Sequence, residues 1–381
     1  MAKHSTHSPS FFFIAKTFQG LEEVLAEELR QLGAQQVEVL KRAVSFKGDH
    51  LLMYRANMFL RTAVRILKAI KSFEATNEDQ LYRQMMNIPW EKIMGIHQTF
   101  AIDAVVGSHF FRHSKYVALK TKDALADRFR NKKGKRPSVD PKDPDIRIHV
   151  NIQGKLVRVY LDSSGDSLHL RGYKKALTEA PLSEILAAGM IKLSGWDMKT
   201  PFMDPMCGSG TLSIEASLMA TDTAPGLFRT AFGFQFWNNY DDKMWKRVKE
   251  EAMDRQKPLE IPIHASDVSP KAVRIAKRNL EGADLLDQVE ISVIKYQSVE
   301  VPETPGWMLI NPPYGERLAQ HEINDFYKTI GDRMKQDFKG WQAWIISSNF
   351  EAMKKIGLKP LKRINLFNGP LACKFQGYDL Y

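Results

Sequence analysis

Asn311-Pro312-Pro313-Tyr314 follows directly on an apolar run from Trp307 to Ile310. Those four residue types suit chemistry on the exocyclic amino group of a nucleobase. Such a group is a poor nucleophile, because its lone pair is delocalised into the ring. The Asn311 side-chain oxygen and the Pro312 carbonyl can each accept one amino hydrogen. That turns the lone pair out of conjugation and toward an electrophile. The prolines, Pro312 and Pro313, hold the loop, and Tyr314 offers a ring for a base taken out of its helix. No general base is obligatory, since the proton becomes acidic as the N–C bond forms. Taken alone, the run also reads as a proline-rich turn. Two further motifs weigh against that.

Asp204-Pro205-Met206-Cys207-Gly208-Ser209-Gly210-Thr211 lies between an apolar strand and a helix. Gly208 and Gly210 let the backbone turn sharply and approach a ligand, and Asp204 is left at the strand's carboxyl end. A carboxylate there attracts a cationic amino-acid group and repels a pyrophosphate. No third glycine completes the dinucleotide fingerprint. The loop from Asp204 through Cys207, Ser209 and Thr211 therefore favours the methionine end of S-adenosylmethionine over NAD. Asp267 ends the next strand, where an acid can bind ribose hydroxyls or cap the helix opening at Ser269–Pro270. Residues 221–259 read as an insertion between the two, with Phe232, Phe234, Phe236, Trp237 and Trp245 as packing groups.

These motifs need a sheet to position them. Strands are expected at 201–204, 261–267, 289–295, 307–311 and 341–347, with helices at 211–220, 270–280 and 323–338, a parallel doubly wound α/β order. The end differs, because strands at 363–367 and 371–379 flank Asn368–Gly369, a tight-hairpin signal. Upstream, strands at 11–15, 37–40, 43–46 and 62–68 interleave with helices at 20–32 and 49–59 in a ferredoxin-like order. Between the two lies a middle block. It has helices at 81–86 and 115–129, strands at 99–106, 146–152 and 155–162, and an exposed loop at 131–145.

The charge points to a polyanion. The 381 residues carry a formal net charge of +11, and solvated Lys and Arg gain most beside phosphates. Arg112, His113, Ser114 and Lys115 form a basic, aromatic-flanked turn that opens a helix. Lys132, Lys133, Lys135 and Arg136 follow it, an electrostatic footprint for a nucleic-acid backbone. His109 and His113 have no acidic or cysteine partner nearby in sequence and read as local hydrogen-bonders, so no metal is expected. The two cysteines lie far apart and suggest no disulfide framework, which makes a reducing cytoplasm the natural compartment. No run is long enough to span a membrane. The polar start, residues 1–10, reads as a loose tail.

The three motifs together resemble the amino-group methyltransferases of class I, whose sheet ends in an antiparallel hairpin. The segment Ser108-His109-Phe110-Phe111-Arg112-His113-Ser114-Lys115-Tyr116 resembles the core of the THUMP domain, an RNA-binding module. Arg171-Gly172-Tyr173-Lys174 with Ala180-Pro181-Leu182 is similar to a segment that closes over the cofactor in THUMP-containing guanine-N2 methyltransferases. The whole order resembles the bacterial 23S rRNA guanine-N2 methyltransferase family. That resemblance implies a ferredoxin-like domain over 1–71, THUMP over 72–165 and a Rossmann-like methyltransferase domain over 166–381. It implies S-adenosylmethionine as cofactor, with Arg171 and Tyr173 beside it, and RNA as partner, ribosomal or transfer. No membrane or obligate protein partner is implied. Relatives carry an acid near the end of the third strand, where this chain has Lys295-Tyr296-Gln297-Ser298, so Gln297 is the candidate to meet the adenine. Adenine-N6 methylation of DNA and a non-catalytic RNA-binding assembly role are the competing readings.

Overall fold

The computed structural model describes residues 9–176, 181–313 and 320–381. In the first half, β1 (Phe11–Lys16), α1 (Glu22–Gln31), β2 (Gln35–Leu40), β3 (Ala43–Gly48), α2 (His50–Phe59) and β4 (Arg65–Glu74) follow in order. Then come α3 (Glu78–Met86), β5 (Thr99–Gly107), α4 (Ser114–Lys133), β6 (Ser138–Val139), β7 (Ile146–Gln153) and β8 (Leu156–Asp162). Alternation builds the core: β7 buries Ile146, Ile148, Val150 and Ile152, and β1 buries Phe13 and Ala15.

These strands make a single eight-stranded sheet, in the order β2-β3-β1-β4-β8-β7-β5-β6. Strand β4 is the join, antiparallel to β1 on one side and to β8 on the other, from Leu67↔Asp162 to Glu74↔Leu156. The block boundary read at 71/72 falls inside this strand. The strand read over 62–68 stops short: Ala69, Ile70 and Phe73 follow Lys68, and backbone pairing to β8 carries the strand on to Glu74.

Two other expectations change. Residues 131–133 belong to α4 rather than to a loop, because Lys and Arg are good helix formers. The helix ends only where Gly134 takes a left-handed φ of 72°. Within the remaining loop, β6 pairs parallel with β5.

The second half runs α5 (Glu184–Ser194), β9 (Phe202–Asp204), α6 (Thr211–Ala220), α7 (Asp242–Asp254), β10 (Ile263–Asp267), α8 (Pro270–Glu281) and β11 (Glu290–Val293). It continues with β12 (Trp307–Ile310), α9 (Gln320–Gln336), β13 (Gln342–Ser347), α10 (Phe350–Lys354), β14 (Lys362–Asn368) and β15 (Leu371–Asp379). The seven strands lie in the order β11-β10-β9-β12-β13-β15-β14, parallel except where β15 enters antiparallel to β13 and β14. Asn368 still pairs with Leu371, so the turn is Gly369–Pro370, with Gly369 at φ 60°. Glycine at the first central position is what a type II′ hairpin requires.

The insertion is packing, but not against its own sheet. Phe232, Phe234, Trp237 and Trp245 are buried in the core of the first sheet, and Phe234 lies 4.3 Å from Tyr54 of α2. Phe236 is the exception, being exposed. Among the described residues no helix is long and apolar enough to cross a membrane.

Candidate active site

The strand order reverses between β9 and β12, which are neighbours in parallel register through Met203↔Met308. Ligands of open α/β sheets bind at the carboxyl ends of strands at such a point. Asp204 and Asp267 end β9 and β10, and Asn311 follows β12, so three adjacent strands deliver the three predicted polar groups to one edge.

Asp204 is fully buried. The Ser213 hydroxyl donates to its Oδ2 at 2.9 Å, while Oδ1 has no hydrogen-bond partner among the described residues. Burial raises its pKa to about 7, and the negative charge of Asp267 pushes the same way against the Ser213 bond. A buried carboxylate oxygen without a partner is poised for a cationic ligand.

The glycine loop is tied to β10. The Gly208 amide donates to Asp267 Oδ2 at 3.0 Å, the Cys207 amide to the Ser266 carbonyl at 2.8 Å, and the Ser269 amide to Asp267 Oδ1 at 2.9 Å. Asp267 therefore shapes the loop, and the N-cap of α8 is Ser269, whose hydroxyl accepts from Ala272. Gly208 and Gly210 both take left-handed φ, 54° and 79°. A side chain at Gly208 would meet nothing, whereas one at Gly210 would press on Ala276 of α8 at 3.1 Å. Ser209 and Thr211 are buried, their hydroxyls 3.2 Å apart. Cys207 is buried too, and its thiol pKa is pushed well up by that burial, which leaves it a packing group.

Asn311 is half-buried, and its Oδ1 has no hydrogen-bond partner among the described residues. Pro312 is buried and Pro313 exposed. Tyr314, like Glu179 and Ala180, lies outside the described residues. Gln297 stands exposed in a short 3₁₀ turn after β11, at the same sheet edge as Asp267.

Arg171 and Tyr173 are placed differently from the reading by resemblance. Both are buried, and both turn to Glu215 of α6, Tyr173 donating its hydroxyl at 3.0 Å. Arg171 also donates to the carbonyls of Leu168 and Arg61, so its guanidinium joins the two halves of the chain. Their side chains are taken up by this joint, since a buried guanidinium needs a full set of partners.

Sequence reasoning missed Asn279. It is fully buried in α8 and bonds both the glycine loop, at the Ser209 carbonyl, and the segment at Lys175 and Ala176. The available signal was a polar residue on the apolar face that Val273, Ala276 and Leu280 define in α8.

The basic residues divide into two groups. Arg112, His113, Ser114 and Lys115 are exposed at the start of α4, and Lys132, Lys133, Lys135 and Arg136 are exposed at its end. A 20-residue helix separates them by about 30 Å. Between them the charges are partnered: Arg128 makes a bidentate pair with Glu91, and Arg130 pairs with Asp127. The single basic face read from the sequence is two separate basic ends.

Comparison with known proteins adds three family matches. A family model described as the RMKL-like methyltransferase domain matches residues 171–376, the THUMP domain matches 75–162, and an RlmL ferredoxin-like domain matches 12–67. The chain is 37% identical over 379 residues to a Synechocystis protein provisionally named an RNA methyltransferase, covering 99% of this chain and 98% of that one. It is 38% identical over 375 residues to a Shewanella protein named ribosomal RNA large subunit methyltransferase K/L. That match covers 97% of this chain and 53% of the relative, so the chain spans about half the length of relatives with that name. A provisionally named methyltransferase crystallised with S-adenosylhomocysteine shares the fold at a TM-score of 0.88 and 29% identity, over 98% of both chains.

Proposed function

This chain belongs to the RMKL-like methyltransferase family, and on that footing we propose that it methylates the N2 amino group of a guanine in RNA, with large-subunit ribosomal RNA the favoured substrate. The observation that carries the reading is a pair of buried oxygens, Asp204 Oδ1 and Asn311 Oδ1, that have no hydrogen-bond partner among the described residues and lie at the ends of β9 and β12. One calls for a cation and the other for a hydrogen-bond donor. The ammonium of S-adenosylmethionine and the amino group of a base are such a pair.

The residues present fit that cofactor. Asp204 Oδ1 would accept the ammonium, the Gly208–Gly210 turn would admit the chain of the methionine moiety, and Asp267 would hold the ribose. When bound, S-adenosylmethionine supplies a methyl group on a sulfonium, an electrophile that needs no metal. Asn311 Oδ1 and the Pro312 carbonyl take the two amino hydrogens of the base, which frees the lone pair for attack. As the N–C bond forms, positive charge grows on nitrogen and both hydrogen bonds strengthen, which is where stabilisation counts. The amine proton then leaves to water.

The THUMP match and the exposed basic ends of α4 support RNA over DNA. An RNA substrate supports work in a reducing cytoplasm, the compartment in which the buried Cys207 and Cys373 need no disulfide. Nucleoside mass spectrometry of ribosomal and transfer RNA from cells lacking the gene tests the proposal. Loss of N2-methylguanosine from ribosomal RNA is expected. Loss from transfer RNA would move the substrate, and loss of N6-methyladenosine alone would overturn the target base.

A further inference from the structure

The segment 171–176 and the glycine loop are far apart in sequence, yet α8 holds both through one row of positions. Ala276 lies where a side chain at Gly210 would come within 3.1 Å. Three residues on, Asn279 donates from Nδ2 to the carbonyls of Ser209 and Ala176, each at 3.0 Å. Its Oδ1 accepts the amides of Lys175 at 2.8 Å and Ala176 at 3.0 Å. A further three residues on, Gly282 passes so close that a side chain there would meet the Tyr173 carbonyl at 2.2 Å. The spacing of three puts Ala276 and Asn279 on one side of α8, and Gly282 caps its end.

Asn279 is fully buried, and both donors and both acceptor sites of its amide are engaged with backbone. No other side chain offers two donors and two acceptors in this compass. Asp would keep the acceptor toward Lys175 and Ala176 and lose both donors. Ala would leave four backbone contacts unmade. A residue placed only to fill a core would not need this chemistry, since apolar neighbours in α8 do that without polar atoms.

We propose that Asn279 is a positioning residue of the cofactor site, fastening segment 171–176 onto the Ser209 turn so that both are in place before the cofactor arrives. This rests on the reading of the glycine loop as the S-adenosylmethionine site. Without the amide, binding must also order the freed backbone, which weakens affinity on the order of tenfold per residue released.

The test uses the full chain and S-adenosylhomocysteine as the probe. Calorimetry of Asn279→Ala should show affinity about tenfold or more below the parent. Hydrogen exchange should show the Lys175 and Ala176 amides losing protection in the unliganded variant and regaining it at saturating probe. Asn279→Asp keeps the acceptor, so those amides stay protected and the affinity falls between the other two. It also serves if Asn279→Ala does not fold. A folded variant with lower thermal stability but parental affinity would reduce Asn279 to a core residue and overturn the inference. A parent that does not bind the probe would instead strike the cofactor assignment itself.

Discussion

Asp204 is fully buried with one oxygen bonded to Ser213 and the other without a partner among the described residues, and burial raises its pKa to about 7. Below that pH the carboxyl is neutral and attracts an ammonium weakly, so cofactor affinity should climb as pH rises through about 7. Above about 8 the α-amino group of the ligand loses its own proton and affinity should fall again. Calorimetry from pH 6 to pH 9 checks this, and a flat profile would remove Asp204 ionisation from binding. For folding the sign is opposite. A raised carboxyl pKa stabilises the fold fully below about 4, and that contribution is lost as pH rises through about 7. Asp204→Ala should weaken cofactor binding tenfold or more, since a charge-assisted hydrogen bond contributes roughly 1.5–3 kcal/mol. Asn311→Ala should behave otherwise, with binding nearly intact and the single-turnover rate down on the order of 10²–10³, because its contribution grows only in the transition state. An Asn311→Ala protein turning over at the parental rate would overturn the mechanism.

Helix α4 places its two basic ends about 30 Å apart, which sets how RNA binding should depend on salt. Each phosphate contact contributes a slope of roughly −0.7 to −0.9 in log affinity against log salt. Charge reversal at Lys132, Lys133, Lys135 and Arg136 should remove part of the slope, and reversal at Arg112 and Lys115 should remove another part. Neither set should touch cofactor affinity. Filter-binding titrations across a salt series check this. If the Lys132–Arg136 set alone abolished the slope, one compact patch would carry the RNA and the turn at Arg112 would be a bystander.

At the scale of the whole molecule, the two halves share material. The insertion before α8 supplies Phe232, Phe234, Trp237 and Trp245 to the core of the first sheet. Arg55 of α2 pairs with Glu251 of α7 at 2.8 Å, and Arg171 binds the carbonyl of Arg61 across the same junction. The basic ends of α4 and the strand ends of β9 and β12 are therefore held in one framework. Trp245→Ala should destabilise the protein by about 3–5 kcal/mol, as large-to-small changes at buried aromatic sites do. The damage should appear in the first sheet: hydrogen exchange in β7 and β8 should quicken while β9 and β12 stay protected. Faster exchange in β9 and β12 instead would place the insertion in the other core.

The amino-acid sequence by itself determined the element order apart from β6, α7 and α10, and the three motifs at the carboxyl ends of β9, β10 and β12. Periodicity, glycine placement and strand-end position are local properties, and each is written within a few residues of where it acts. The same locality explains the misreadings. The end of β4 depends on pairing with β8, which carries the strand past Lys68 to Glu74. The Lys132–Lys133 turn is helical because Gly134, not the preceding charges, ends α4. Apart from the Leu168 carbonyl, the partners that set the work of Arg171, Tyr173 and Asn279 lie 42 to 110 positions away, and only the folded chain brings those together. A buried polar side chain takes its role from the groups that satisfy it, and that choice belongs to the tertiary structure.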